Sequence, residues 1–187
     1  MCGIAGLIWK GGVTSDIGSE MTQMLQALKH RGPDSTGFAL YGKSDDDVHI
    51  LRFKVAEQEE MKTGFDIHRQ VIERKAAVDV RLEELGAEVI KKEDATEYAF
   101  RYLFKFNGDL KRLIDFIEDL EGVEILSVGK GLELIKDLGD ATVVADQYGL
   151  KGFNGTHAIG HTRMATESDV DIRSAHPYWA YPFNDVS

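Results

Sequence analysis

The chain has 187 residues, 43% of them hydrophobic and 29% charged, with a net charge of −10 and a pI near 5.0. This composition predicts a globular protein with one domain, or with one domain and a large insertion. The acidic balance argues against nucleic acid and against an anionic membrane surface as partners, because both bind basic surfaces. A single cysteine excludes an internal disulfide. The sequence has no signal-like or membrane-spanning apolar run, and together with the single cysteine this favours the reducing cytoplasm as the compartment of the protein.

Residues 1–42 carry two predicted strands with a helix between them. The apolar run 4–9 predicts a buried strand. From residue 17, apolar side chains recur every three or four positions, which predicts a helix capped by Asp16 or by a residue just before it. Residues 36–41 predict the second strand, and the polar residues that follow predict a turn.

Residues 43–149 predict an inserted subdomain. Its apolar patterns and turn signals indicate the order strand, helix, strand, strand, helix, strand, which is the ferredoxin-like βαββαβ pattern. These elements are predicted at 48–55, 65–85, 87–92, 98–106, 110–120 and 123–128. Two further helices, predicted at 132–138 and 141–148, return the chain to the first domain.

The last part of the chain holds one predicted strand and a proline-interrupted end. Residues 158–163 predict a short buried strand whose last residues are polar. The dipeptide Asn154–Gly155 before it predicts a turn. Residues 176–183 are apolar and aromatic, but their prolines exclude a central strand.

Residues suited to amide chemistry occur at three separated places. Cys2 is the only cysteine and follows the initiator methionine, so removal of Met1 would put a thiol nucleophile beside a free α-amino group that can act as its base. The other two places are a turn-forming sequence and the polar end of the last strand. The three motifs are Cys2-Gly3-Ile4-Ala5-Gly6, His30-Arg31-Gly32-Pro33-Asp34-Ser35, and Gly160-His161-Thr162-Arg163-Met164-Ala165-Thr166 followed by His176-Pro177.

Together these motifs resemble the glutaminase domain of class II glutamine amidotransferases, which are N-terminal nucleophile (Ntn) hydrolases. Within that family the chain is most similar to the stand-alone glutamate-synthase-type amidotransferase proteins. The resemblance covers residues 1–42 and 150–187. It implies an α+β fold, in which the N-terminal part of an Ntn-type αββα sandwich is interrupted by the ferredoxin-like insertion at 43–149.

The resemblance also implies an activity and its partners. Cys2 would attack the side-chain amide of glutamine, form a γ-glutamyl thioester and release ammonia to a glutamate-synthase-type subunit. A homo-oligomer is compatible with this scheme. No cofactor is expected, because the sequence has no Gly-x-Gly-x-x-Gly motif and no cysteine cluster.

Substrate-binding roles follow from the same resemblance. Arg163 matches the position expected to bind the α-carboxylate of glutamine, since a guanidinium pairs with a carboxylate through two hydrogen bonds. Thr166 would complete that carboxylate site, and Gly3 would leave room for the substrate beside the nucleophile. Family members often have a tryptophan after the arginine, where this chain has Met164. The alternatives are a surface salt bridge for Arg163 and an ordinary strand-start glycine for Gly3.

Further residues are expected to support the site. Arg31 would hold the N-terminus and the substrate loop, Asp34 would hydrogen-bond the backbone of its turn, and His161 is expected to be a hydrogen-bonded structural histidine. A catalytic base at His30 or His161 is unnecessary beside the terminal amine. His161 and His176 have no third ligand at suitable spacing, so no metal site is expected.

The end of the chain limits the activity expected of it. The oxyanion hole of the family comes from an Asn-Gly pair beyond the region of His176-Pro177, and the sequence reaches Ser187 without one. Asn154–Gly155 precedes the third motif and is in the wrong order. Loss of one oxyanion donor costs on the order of a hundred- to thousandfold in rate, so these residues alone are expected to be inactive or weakly active. The alternatives are an Ntn hydrolase that cleaves another amide and a non-catalytic binding or interaction module.

Overall fold

The structure, a computed structural model, describes residues 2–164, 172 and 175–187. The strands are Gly3–Ile8 (β1), Ser15–Asp16 (β2), Ser35–Gly42 (β3), His49–Lys54 (β4), Glu88–Asp94 (β5), Ala99–Lys105 (β6), Glu124–Gly129 (β7), Leu132–Leu138 (β8) and Asn154–Arg163 (β9). The helices are Ile17–Ala27 (α1), Gln58–Thr63 (α2), Ile67–Glu84 (α3), Leu110–Glu118 (α4) and Ala141–Gln147 (α5). The fold is therefore mixed α and β, and its sheets are antiparallel, as the predicted α+β class requires. Within the described ranges, every helix is too short or too polar to cross a lipid bilayer.

The first sheet has five strands in the order β1-β9-β3-β8, with β2 paired to β9. Alternate residues of a strand point to opposite faces of a sheet. On one face Phe38, Leu40 and Ile135 are fully buried, and α1 and α5 pack there. Met21 and Leu25 of α1 lie against β9 at Gly160. This face of the sheet is the core of the first layer.

Helix α1 begins where the sequence predicts. The carboxylate of Asp16 accepts a hydrogen bond from the backbone N–H of Ser19 at 3.0 Å. This bond satisfies one of the N–H groups that have no partner in the first turn of a helix. Of the three cap residues that the sequence allows, Thr14, Ser15 and Asp16, the structure shows Asp16.

The second sheet has four strands in the order β5-β6-β4-β7. Its aromatic face carries Phe53, Phe100 and Tyr102, whose rings contact each other at 5.3 and 5.0 Å between centroids. Helices α3 and α4 contact each other and the edge strands of this sheet. The predicted order of strands and helices in this part of the chain is found, with the short helix α2 as an addition.

A buried polar layer joins the two sheets. Glu133 of β8 accepts hydrogen bonds from Arg52 of β4 and Arg101 of β6, both at 2.7 Å. Four residues further along β8, Asp137 accepts hydrogen bonds from the hydroxyls of Tyr98 and Tyr148 at 2.8 and 2.7 Å. These residues, which we call the inner polar layer, hold β8 against the second sheet.

Three local predictions are wrong. Residues 132–138 form strand β8 and not a helix, because they pair with residues 35–41 of β3. Asn154–Gly155 begins strand β9 and is not a turn, since Gly155 pairs with Ser15 of β2. Strand β1 is buried on one face only, because the opposite face leaves Ile4 and Ile8 exposed by 74% and 70%.

Candidate functional site

The strand register brings the first and third motifs together. Gly3 pairs with Thr162, and Ile4 pairs with His161. Because this pairing is antiparallel, Cys2, which precedes Gly3, lies level with Arg163, which follows Thr162. The residue predicted as nucleophile therefore neighbours the residue predicted to bind the substrate carboxylate.

A cleft of about 580 Å³ opens over this end of the sheet, on the face away from α1. Its lining includes Cys2, Ile4, His161, Arg163, His176 and Tyr178. Cys2 is exposed and its sulfur is in the reduced, unpaired state. The volume lies within the roughly 300–1,000 Å³ usual for small-molecule sites. The cleft therefore has room for a small-molecule ligand.

The turn formed by the second motif fixes both residues. Arg31 donates a hydrogen bond from Nε to the carbonyl of Cys2 at 3.4 Å, which is a weak contact. The backbone N–H of Asp34 donates to the carbonyl of Arg163 at 3.1 Å. Gly32 has no room for a side chain, because a Cβ there would lie 2.7 Å from the carbonyl oxygen of Arg163. Asp34 thus acts through its backbone toward β9, in addition to any role within its own turn.

Gly3 is also in a tight place, but on the other side of the sheet. A Cβ built at Gly3 would lie 2.8 Å from Oγ1 of Thr162 and 3.1 Å from Cβ of Leu28. Such distances require a shift of the strand, and that shift would move Cys2. The crowding predicted at Gly3 therefore arises first from protein atoms, while its contact with substrate stays a prediction.

His161 is 6% exposed and lies in the cleft. Its Nδ1 is buried and has no hydrogen-bond partner among the described residues, so the hydrogen bond expected of a structural histidine is not found at this atom. The ring meets that of His176 edge to face at 5.1 Å. Burial, with smaller contributions from the charges of His176 and Arg163, lowers the pKa of His161 below its usual 6.5. This shift favours the neutral form of the imidazole.

Residues 175–187, the C-terminal segment, form the far wall of the cleft. The carbonyl of His176 fills the space over Gly37 where a side chain would stand. Tyr178 packs its ring against His176 at 4.7 Å, and Lys136 lies 5.3 Å above the Tyr178 ring. Sequence reasoning missed this wall, and its one signal was an aromatic run that the prolines keep out of the sheet.

A single carboxylate anchors that wall. Oδ1 of Asp185 accepts hydrogen bonds from the backbone N–H groups of Lys130, Gly131 and Leu132 at 2.8, 2.7 and 2.7 Å. These N–H groups form the turn between β7 and β8. The C-terminal segment is thus tied to the same hairpin that supplies the inner polar layer.

Thr166, predicted to complete the carboxylate site, lies outside the described residues. Among the residues that are described, no group of three or more His, Cys, Asp or Glu side chains is arranged to hold a metal ion.

Comparison with known proteins finds two similar sequences. The chain is 38% identical over 191 aligned residues to a protein of Methanothermobacter thermautotrophicus named "Putative glutamine amidotransferase", with all of this chain and 59% of that protein aligned. It is 31% identical over 180 residues to the "Glutamine amidotransferase-like protein GlxB" of Rhizobium meliloti, covering 95% of this chain and 54% of that protein. The chain therefore spans little more than half the length of these relatives. No protein-family model matches it.

Proposed function

We propose that the chain carries the nucleophile and the carboxylate-binding arginine of a class II, Ntn-type glutamine amidotransferase. The observation that carries this proposal is that Cys2 and Arg163 line one cleft at the same end of the first sheet. The names of the two relatives support the same reaction, hydrolysis of glutamine to supply ammonia.

The proposed reaction uses groups that this cleft contains. Arg163 pairs with the α-carboxylate of glutamine and so points the side-chain amide toward Cys2. With Met1 removed, the α-amino group of Cys2 takes the proton of the thiol as the sulfur attacks the amide carbon. The same group then protonates the leaving nitrogen, which departs as ammonia, and water hydrolyses the thioester to glutamate.

The finer fold assignment is part of the proposal. The antiparallel order β5-β6-β4-β7, with α3 and α4 packed on it, supports a ferredoxin-like insertion. The helix-covered first sheet supports one half of an Ntn αββα sandwich. We assign residues 1–42 and 150–187 to the amidotransferase domain and 43–149 to the insertion, although β8 within the latter pairs with β3 of the first sheet.

The partner is proposed on resemblance alone. A glutamate-synthase-type subunit would receive the ammonia, and co-expression with candidate subunits followed by size-exclusion chromatography tests this. A homo-oligomer would be found in the same measurement as a larger species of the chain by itself.

Covalent labelling tests the reaction. A glutamine analogue with an electrophilic side chain should add once to Cys2 in the Met-processed protein, as seen by peptide mass spectrometry. Arg163→Ala should slow labelling by about 100-fold, because it removes a charge-paired anchor of the ligand. Arg69→Ala, on an exposed part of α3, is the matched control and should leave the rate unchanged.

Two outcomes would decide against the proposal. If Arg163→Ala labels as fast as the wild type, the cleft does not recognise the α-carboxylate and another amide is the substrate. If Cys2 is not labelled although mass spectrometry shows Met1 removed, the chain serves as a binding or interaction module.

A further inference from the structure

His161 is a polar group in the cleft that the proposed reaction does not use. It stands in one row across the sheet with Ile4 on β1 and Gly37 on β3, two pairs further along than Cys2 and Arg163 and so on the same face. Its side chain is more than nine-tenths buried, and Nδ1 has no partner in the part of the chain that the structure describes. A buried polar atom without a partner is costly to keep, so it points to a role.

Other histidines show that this is not the general pattern here. His157, on the same strand and the same face, stacks on Tyr41 at 4.0 Å, and its Nδ1 shares a hydrogen bond of 2.9 Å with Oγ1 of Thr156. His49 lacks a partner at Nδ1, but it hydrogen-bonds the backbone of Phe106 and does not line this cleft. Only His161 combines the unpartnered nitrogen with a place beside Cys2, among the histidines described.

The surroundings of His161 oppose its protonation. Arg163 lies two residues along the same strand, and Lys136 flanks Gly37 from β8 in the same row. His176 and Tyr178 face the ring from the C-terminal segment, and Lys136 is paired with Glu124 at 3.1 Å. No carboxylate among the described residues contacts the ring in compensation. One further titratable group, the thiol of Cys2, lines the same cleft.

A neutral imidazole without a fixed partner has distinctive chemistry. One ring nitrogen donates a hydrogen bond and the other accepts one, and no hydrogen bond from residues 2–164, 172 or 175–187 decides which is which. Such a ring serves the N–H₂ or the carbonyl of a carboxamide equally well. An imidazolium would instead form a charge pair with a carboxylate, the group that glutamine hydrolysis produces.

We propose that His161 is a specificity-determining residue of the cleft, where its imidazole hydrogen-bonds the side-chain carboxamide of glutamine in preference to the side-chain carboxylate of glutamate. This inference rests on the proposed function. It adds that the cleft distinguishes substrate from product at the reacting end of the ligand, while Arg163 binds the end that the two share.

Protection of Cys2 measures this distinction directly. In the full-length protein, the rate at which iodoacetamide alkylates Cys2 is measured at increasing concentrations of glutamine and, separately, of glutamate. Each series yields a protection constant, so the ratio of the two does not depend on how reactive the thiol itself is. The expected ratio favours glutamine in the wild type and falls about tenfold in His161→Leu, the value of one good hydrogen bond.

Two polar variants and a control sharpen the result. His161→Gln places an amide near Nε2 and His161→Asn places one near Nδ1. Since Nδ1 is buried, His161→Gln is expected to keep the ratio within threefold of the wild-type value, and His161→Asn is expected to lose the preference. His157→Leu, on the same strand, should keep the wild-type ratio. Thermal unfolding checks that each variant is folded, and His161→Asn serves as the loss variant if leucine prevents folding.

The outcomes separate this inference from the proposed function. If glutamine does not protect Cys2 in the wild type, the proposed function fails and this inference with it. If glutamine protects but the ratio is unchanged in His161→Leu and His161→Asn, His161 does not read the side chain and only this inference is overturned. Lowering the pH should reduce the ratio in the wild type as the imidazole gains a proton, and should not do so in His161→Gln.

Discussion

Strand β8 separates two polar regions that follow opposite rules. Toward the second sheet, Glu133 and Asp137 are buried and fully hydrogen-bonded. On the face of the first sheet that carries the cleft, the Oγ of Ser35 and the Nδ1 of His161 are buried and have no hydrogen-bond partner among the residues described. Because burial of a polar group is costly unless it is hydrogen-bonded, the first region is built for structure, and the second retains groups for which the protein supplies no partner.

The inner polar layer shows what a structural solution costs and provides. Burial alone would raise the pKa of Glu133, but Arg52 and Arg101 outweigh it and lower that pKa. A buried ion pair adds little net stability over apolar packing, yet the loss of one partner is severe. Its usefulness here is geometric, because it fixes β8, and with β8 the whole first sheet, against the insertion.

The largest expected effect is on this layer. Glu133→Ala leaves the guanidinium of Arg52 buried, with side-chain exposure of 7%, and removes its carboxylate partner. We expect a loss of about 3–5 kcal/mol in the free energy of unfolding, measured by urea denaturation. Glu93→Ala is the matched control, since Glu93 also pairs with Arg101 but is 34% exposed, and it should cost less than about 1 kcal/mol. Equal losses would mean that burial does not set the value of these pairs.

A second pair of substitutions compares the two sides of β8. Asp137→Ala removes the acceptor of two buried tyrosine hydroxyls and should cost about 1–3 kcal/mol. Ser35→Ala removes a hydroxyl that is equally buried but has no hydrogen-bond partner within the described ranges, so its cost should be within about 0.5 kcal/mol of zero. Thermal unfolding of both variants measures the difference. A large loss for Ser35→Ala would show that the cleft side is also structurally satisfied.

The same polar layer explains the largest error of the sequence prediction. In residues 132–138, charges at Glu133, Lys136 and Asp137 recur at spacings of three and four among leucines, which imitates one polar face of a helix. The partners that allow a strand to bury these charges, such as Arg52 and Glu124, are far away in sequence. No local pattern contains that information, so tertiary pairing overrode the local signal.

The candidate site was predictable in its residues and not in its arrangement. The motifs predict roles for Cys2, Arg31 and Arg163, because the residue type and the neighbouring residues indicate what each side chain can do chemically. That Cys2 stands level with Arg163 depends on the register between β1 and β9, which are separated by most of the chain. The sequence also does not predict that Nδ1 of His161 has no partner among the described residues, because this depends on which polar groups the fold places near the ring.

The smallest expected effect is the pH dependence of stability that His161 contributes. Burial lowers its pKa below the usual 6.5 in the folded protein, so between those two values the unfolded chain binds a proton that the folded protein does not. Stability is therefore full above pH 6.5 and falls as the pH drops, by at most about 1.4 kcal/mol per pH unit for one group. His49 contributes in the same direction, also mainly through burial.

His161→Gln should therefore reduce the fall in the free energy of unfolding between pH 7 and pH 5 only in part, as measured by urea denaturation at each pH. An unchanged slope in His161→Gln would show that this imidazole gains its proton as easily in the folded protein as in the unfolded one, and that the cleft does not hold it neutral.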